Sequence, residues 1–232
     1  MRSDSSVGGP ARHDGVWVVI PLFNEAAVIA DVVRDVRTRF PLVVCVDDGS
    51  TDGSADRAAA AGSRVVQHSV NLGQGAALQT GIEYALERGA RYIVTFDADG
   101  QHQVSDAVDM VARAEDEDLA IVFGSRFLDD RTDPGRIKRL VLRFAVWFTR
   151  QSTGMRLTDA HNGLRVIRAD AARGVNIFHD RMAHASEIVL QLGRTRLPWA
   201  EHPVHVLYTD YSRSKGQSLW NSVNILVDLL MK

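Results

Sequence analysis

Two carboxylates one residue apart, Asp97-Ala98-Asp99, followed by Gln101 and His102, form the most chemically suggestive spacing in the chain. They come directly after the apolar run 92–96. Alternate side chains of extended backbone share a face, so Asp97 and Asp99 are expected to point the same way. One can then hold a sugar or ribose hydroxyl while the other meets a hard divalent cation bridging the phosphates of a bound nucleotide. Three other apolar runs end in comparable residues. Run 16–20 leads to Pro21, Asn24 and Glu25, run 42–46 to Asp47 and Asp48, and run 119–124 to Ser125 and Arg126. Helix capping accounts for Asp52 and Ser54, and for any one of these ends alone, but not readily for all four together.

These groups meet only if the intervening elements bring them to one place. The runs 16–20, 42–46, 65–68, 92–96 and 119–124 alternate with helical segments: one entered through Asn24-Glu25 and ending near residue 40, then 51–61, 75–88 and 104–117. Strands apolar on both faces, separated by helices, specify an α/β fold with a mostly parallel sheet covered on both sides and right-handed crossovers. Open sheets of this kind bind ligands at the carboxyl ends of their strands, where the polar residues fall. Beyond Ser125 the alternation breaks into a polar loop, a basic and apolar helix at 137–150, a strand at 164–167, a helix at 184–192 and a strand at 199–207. Pro203 marks that last strand as an edge or a bulge, and this half is expected to extend the same sheet.

Composition narrows the functions available. With 232 residues, 45% of them hydrophobic and 24% charged, the chain is a folded globular protein rather than a disordered or fibrous one. Lys and Arg total 27 against 29 Asp and Glu, a net charge of −2 that gives no global attraction for nucleic acid. The lone Cys45 lies in an apolar run, so it reads as a buried thiol and rules out disulfides and cysteine-based metal sites. Residues 1–15 read as a flexible leader, not a signal peptide, and no window has the roughly 18 apolar residues of a membrane span. Gly73-Gln74-Gly75 resembles part of a dinucleotide fingerprint, but Leu78 takes the third glycine's place and no glycine follows the first strand. A P-loop is excluded because neither Gly-Lys-Ser nor Gly-Lys-Thr occurs.

Taken in order, five segments resemble the motif series of family 2 glycosyltransferases of the GT-A fold: Pro21-Leu22-Phe23-Asn24-Glu25, Val46-Asp47-Asp48-Gly49-Ser50-Thr51-Asp52, Asn71-Leu72-Gly73-Gln74-Gly75-Ala76-Ala77, Phe96-Asp97-Ala98-Asp99-Gly100-Gln101-His102 and Gly124-Ser125-Arg126-Phe127. The pattern is nearest to the dolichol-phosphate mannose synthase and polyprenyl-phosphate glycosyltransferase branch. The resemblance spans about 16–218, leaving the leader 1–15 and a C-terminal amphipathic helix 219–232 outside it. It implies that Pro21, Phe23, Glu25, Asp48 and Asp97 line a nucleotide pocket and that Asp99 with Gln101 holds Mg or Mn on the diphosphate. It places Arg126 against the acceptor or leaving phosphates and Asp159, in the segment Thr158-Asp159-Ala160-His161-Asn162-Gly163-Leu164-Arg165, near the sugar. Glu187 resembles an inward-facing glutamate on a late helix. Arg213-x-x-Gly216-x-Ser218 matches a phosphate-binding loop in which Leu219 replaces the usual Lys and Lys215 supplies the charge.

The implied activity is metal-dependent hexosyl transfer, with inversion, from a UDP- or GDP-sugar to polyprenyl phosphate. Asp99 and Arg126 would stabilise the departing diphosphate, while Arg126, Arg139, Arg213 and Lys215 position the acceptor phosphate. A hydroxyl acceptor would instead need a base, for which Asp159 is the candidate. A catalytically silent nucleotide-binding module is the third reading. The resemblance also implies a cytoplasmic protein held peripherally at the cytoplasmic face of the membrane. The helices at 137–150 and 219–232 are amphipathic, and core packing, a membrane protein, a second copy in a homo-oligomer or a bilayer surface would each cover the latter.

Overall fold

The computed structural model describes residues 13–128, 155–177 and 183–207. Strands β1 (Val16–Leu22), β2 (Leu42–Asp47), β3 (Arg64–Gln67), β4 (Tyr92–Thr95), β5 (Ile121–Ser125), β6 (Arg165–Arg168) and β7 (Trp199–Pro203) form one sheet in the order β3-β2-β1-β4-β6-β5-β7. All pair in parallel except β6, which runs antiparallel to both neighbours, β4 and β5. The mostly parallel GT-A arrangement and the single continuous sheet agree with the sequence. The edge position of β7 agrees with Pro203.

Side chains of β1 alternate between two cores. Val16, Val18, Ile20 and Leu22 meet α1 (Ile29–Arg37), α2 (Ser54–Ala60) and α4 (Val104–Asp116), through Val33, Ala58 and Met110 among others. Trp17 and Val19 face α3 (Gln74–Glu87), α5 (Ala169–Ala172) and α6 (Ala183–Arg194), through Ile82, Ala172 and Leu192. Helix α3 lies so close to the sheet that a Cβ on Gly81 would stand 2.3 Å from Val19 Cγ1. Cys45 is fully buried, and burial pushes its thiol up to about 12, which makes it inert.

Three local expectations are corrected. Strand β1 does not stop at Pro21 but continues to Leu22. Leu22 C=O bonds toward β2 and Val19 C=O toward β4, so by alternation the missing Pro21 N–H lies on the β4 side, where that strand's pairing has ended. Asn24 does not cap α1, which begins only at Ile29 with no side-chain cap. Asp97 and Asp99 are not brought together by strand alternation, because β4 ends at Thr95 and the chain then turns through Gly100 at φ 73°. The helices expected at 137–150 and 219–232, the leader up to residue 12, and Arg139, Arg213 and Lys215 lie outside the described residues.

From β1 the chain moves outward to β2 and β3, then returns to place β4 on the other side of β1. This reversal opens a crevice beyond the carboxyl ends of β1 and β4. It is flanked by the segments that begin at Phe23 and at Asp97.

Candidate active site

The wall formed by the β1 loop is laced to the loop after β2. Asn24, at φ 52°, donates its N–H to Ser50 Oγ (2.9 Å) and accepts Thr51 N–H at Oδ1 (3.0 Å). Glu25 N–H reaches Ser54 Oγ at 2.8 Å and Ala26 N–H reaches Asp52 Oδ2 at 3.0 Å. The seryl, threonyl and aspartyl residues after β2 thus tie two loops together, and Asp52 Oδ1 also accepts the N–H of Ser54, the first residue of α2, at 3.0 Å, as the capping expectation has it. Pro21 is buried, Glu25 half-buried and Phe23 45% exposed, which sets a large ring at the crevice mouth.

Asp48, which the resemblance assigns to the nucleotide pocket, is tied into the loop that leads to α3. It is 2% exposed, with Oδ1 accepting from Leu72 N–H (2.9 Å) and bonded to His68 Nδ1 (2.7 Å), while Oδ2 accepts Gly73 N–H (2.7 Å). Charge-assisted bonds to backbone N–H groups are the strong ones. Asp48 therefore anchors the glycine loop that starts α3. Its neighbour across that loop, Gln74, points Nε2 at Asp97 Oδ1 (3.4 Å).

At the end of β4, Asp97 Oδ2 bonds His102 Nε2 at 2.9 Å and Asp99 Oδ1 accepts Gln101 N–H at 3.0 Å. Burial raises the pKa of Asp99, and the charge of Asp97 raises it further. Two crowded, half-buried carboxylates make an oxygen donor set suited to a hard cation. Among the described residues no group of three or more His, Cys, Asp and Glu side chains could hold a metal. A diphosphate would add oxygens to those of Asp99 around such an ion. Gln101 is buried at 9% exposure beside it. Asp99 also borders a cleft between α1 and α4 lined by Val28, Val32, Phe96, Val104 and Leu207.

At the end of β5, two strands along the same edge, Arg126 and Asp159 grip each other. Nε donates to Oδ2 at 2.6 Å, Nη2 to Oδ1 at 2.9 Å and the Arg126 N–H to Oδ2 at 3.2 Å. The Asp159 side chain is 3% exposed and that of Arg126 38%. The structure thus makes Asp159 the holder of a fixed guanidinium and not an unengaged base. Glu201 of β7, which the sequence reading missed, braces this pair: Oε1 accepts Thr158 N–H (2.7 Å), Thr158 Oγ1–H (2.9 Å) and Asp159 N–H (3.3 Å). Burial raises the Glu201 pKa against these hydrogen bonds, and Asp159 adds to the rise. Ser125 Oγ completes the network 2.6 Å from Thr158 Oγ1. A lone acid in an edge strand ordinarily faces water, so no sequence signal singled out Glu201. Glu187 lies on α6, half-buried, with Oε1 accepting from Gln191 Nε2 at 3.2 Å.

The family model for glycosyl transferase family 2 matches residues 17–175. A UDP-N-acetylglucosamine–dolichyl-phosphate N-acetylglucosaminyltransferase of Methanococcus voltae is 27% identical over 242 residues, covering 93% of this chain and 95% of the relative. An undecaprenyl-phosphate mannosyltransferase of Micrococcus luteus is 31% identical over 175 residues, covering 70% of each. Glucosyl-3-phosphoglycerate synthase from Mycobacterium tuberculosis, crystallised with Mn2+, UDP-glucose and phosphoglyceric acid, shares the fold at a TM-score of 0.62. Its identity is 21%, covering 84% of this chain and 71% of that one.

Proposed function

The chain belongs to glycosyltransferase family 2 and is a glycosyltransferase of the GT-A fold; from that premise we propose that it transfers a hexosyl group, with inversion, from a UDP- or GDP-sugar to polyprenyl phosphate. The observation that carries this reading is the pairing of two unlike ends of one sheet edge. The carboxylates Asp97 and Asp99 follow β4, and a guanidinium locked by Asp159 follows β5. The first suits a nucleotide sugar and its cation, the second a phosphate.

In this mechanism Pro21, Phe23, Glu25 and Asp97 hold the nucleoside, with Asp48 fixing the glycine loop. Asp99 and Gln101 would hold a Mg or Mn ion, which supplies neutralisation of the charge that builds on the departing diphosphate. An acceptor phosphate oxygen attacks the anomeric carbon as the bond to the diphosphate breaks, and Arg126 orients the phosphate groups with a planar fork that Asp159 keeps in register. Arg139, Arg213 and Lys215 are assigned further contacts with the acceptor phosphate. A phosphate is already an anion and needs no base. The engagement of both Asp159 oxygens by Arg126 therefore favours it over a hydroxyl acceptor.

Two observations support a lipid-linked acceptor. The relatives from Methanococcus voltae and Micrococcus luteus carry different sugars in their names but share a polyprenyl-type phosphate. In addition, among the described residues the exposed large hydrophobic side chains, Phe23, Val70, Leu72, Leu128 and Leu207, lie in segments that follow β1, β3, β5 or β7 at the carboxyl edge. A rim of that kind suits a peripheral position at a membrane surface. Incubation with labelled UDP- and GDP-sugars, Mn2+ and polyprenyl phosphate should give an acid-labile, lipid-extractable product. An acid-stable glycoside on a hydroxyl acceptor would replace the phosphate reading, and neither transfer nor donor hydrolysis would point to a silent nucleotide-binding module.

A further inference from the structure

Arg165 is 2% exposed, a guanidinium carried inside the sheet. An ion so placed carries a heavy desolvation penalty unless opposite charges and hydrogen bonds offset it. Its position follows from register: on β6 it lies opposite Thr95 of β4 and Phe123 of β5, two residues before Asp97 and Ser125 respectively. Nη2 donates to the C=O of Ala160 at 3.4 Å, beside Asp159. Gly163, two residues before Arg165, lies directly under the other carboxylate. A Cβ there would stand 2.2 Å from Asp97 Oδ2, and Gly163 C=O accepts Thr95 Oγ1–H at 2.6 Å. Burial lowers the Arg165 pKa to about 10, while Asp97 and then Asp159 act to raise it.

Charges therefore alternate along the site: Asp97, Arg165, Asp159, Arg126. We propose that Arg165 is a positioning residue, whose buried guanidinium, bonded to Ala160 in the segment that runs from Asp159 to Gly163 beneath Asp97, sets the donor-side carboxylate relative to the Arg126 fork that meets phosphate. The role rests on the glycosyltransferase reading given above. A guanidinium suits it because it stays charged when buried and holds its planar donors at fixed angles, which a flexible ammonium does not.

The test compares Arg165→Lys and Arg165→Met with wild type for melting temperature, for calorimetric binding of UDP and GDP with Mn2+, and for donor turnover. Both variants should weaken nucleotide binding and lower kcat by about 10–100-fold, with Lys the milder. Asp159→Asn should cost less in the Arg165→Met background than in wild type, because Arg165 would by then no longer hold the 159–163 segment that Asp159 belongs to. Binding and kcat within about twofold of wild type in a folded variant, or an equal cost of Asp159→Asn in both backgrounds, would overturn the proposal. If Arg165→Met does not fold, Arg165→Lys decides, since it keeps the buried charge: unchanged kcat at an unchanged melting temperature refutes the role. Nucleotide binding needs no acceptor, so an error in the acceptor class leaves this test intact. Absence of UDP and GDP binding by wild type would instead remove the donor site, and the positioning role with it.

Discussion

Asp99 carries two penalties on its ionised form, burial and the neighbouring charge of Asp97, and a divalent cation would offset both. Asp99→Ala should therefore lower turnover by about 10³-fold or more and abolish the Mn2+ dependence of UDP or GDP binding. Retention of full activity would remove Asp99 from the metal site. Glu201 gives a prediction of a different kind. Its folded-state pKa lies above the ordinary 4.5, so the folded protein binds that proton more tightly than the unfolded chain does. The favourable term is complete below the unfolded value and is lost as pH rises through the raised one. Glu201→Gln keeps an oxygen for Thr158 and removes the ionisation. Its melting temperature relative to wild type should rise between about pH 4 and pH 7, and a constant difference across that range would refute the assignment.

Among the elements, β6 has the largest effect on the site. A parallel strand delivers the residues that follow it to the carboxyl edge, whereas an antiparallel one delivers those that precede it. Because β6 is antiparallel to β4 and β5, the segment 158–164 reaches the edge where β4 and β5 end. Asp159 could not meet Arg126 otherwise. Close approach of α3 to β1 matters for the opposite core. Gly81→Ala would force a methyl group against Val19 and should destabilise the fold by about 1–3 kcal/mol, read as a lower melting temperature with donor binding retained at temperatures where the variant is folded. Unchanged stability would show that α3 can move away from the sheet at little cost.

For the molecule as a whole, the net charge of −2 offers little attraction to anionic lipid, so membrane contact would have to come from apolar side chains and local charge. Val70 and Leu128 stand on the rim at 61% and 42% exposure, and neither belongs to the proposed catalytic machinery. Val70→Asp with Leu128→Asp should reduce co-sedimentation with lipid vesicles and transfer to acceptor embedded in them, while donor hydrolysis in solution stays unchanged. Equal sedimentation of variant and wild type would move the contact to another surface. Among the described residues no helix is long and apolar enough to cross a membrane.

The sequence by itself determined the alternation of strands and helices, the mostly parallel sheet and the polar residues after β1, β2, β4 and β5. Each rests on local hydrophobic pattern and on the chemistry of a few adjacent residues. Its ordered motifs also pointed to the family. Tertiary structure decided what those patterns cannot encode. The direction of β6, the burial of Asp48 against its loop, the Asp159–Arg126 pair 33 residues apart and the brace from Glu201, 42 residues beyond Asp159, all depend on register and packing between distant segments. The physical reason is that a carboxylate's role is set by the donors around it. In this fold those donors come from strands that are neighbours in the sheet and remote in the chain.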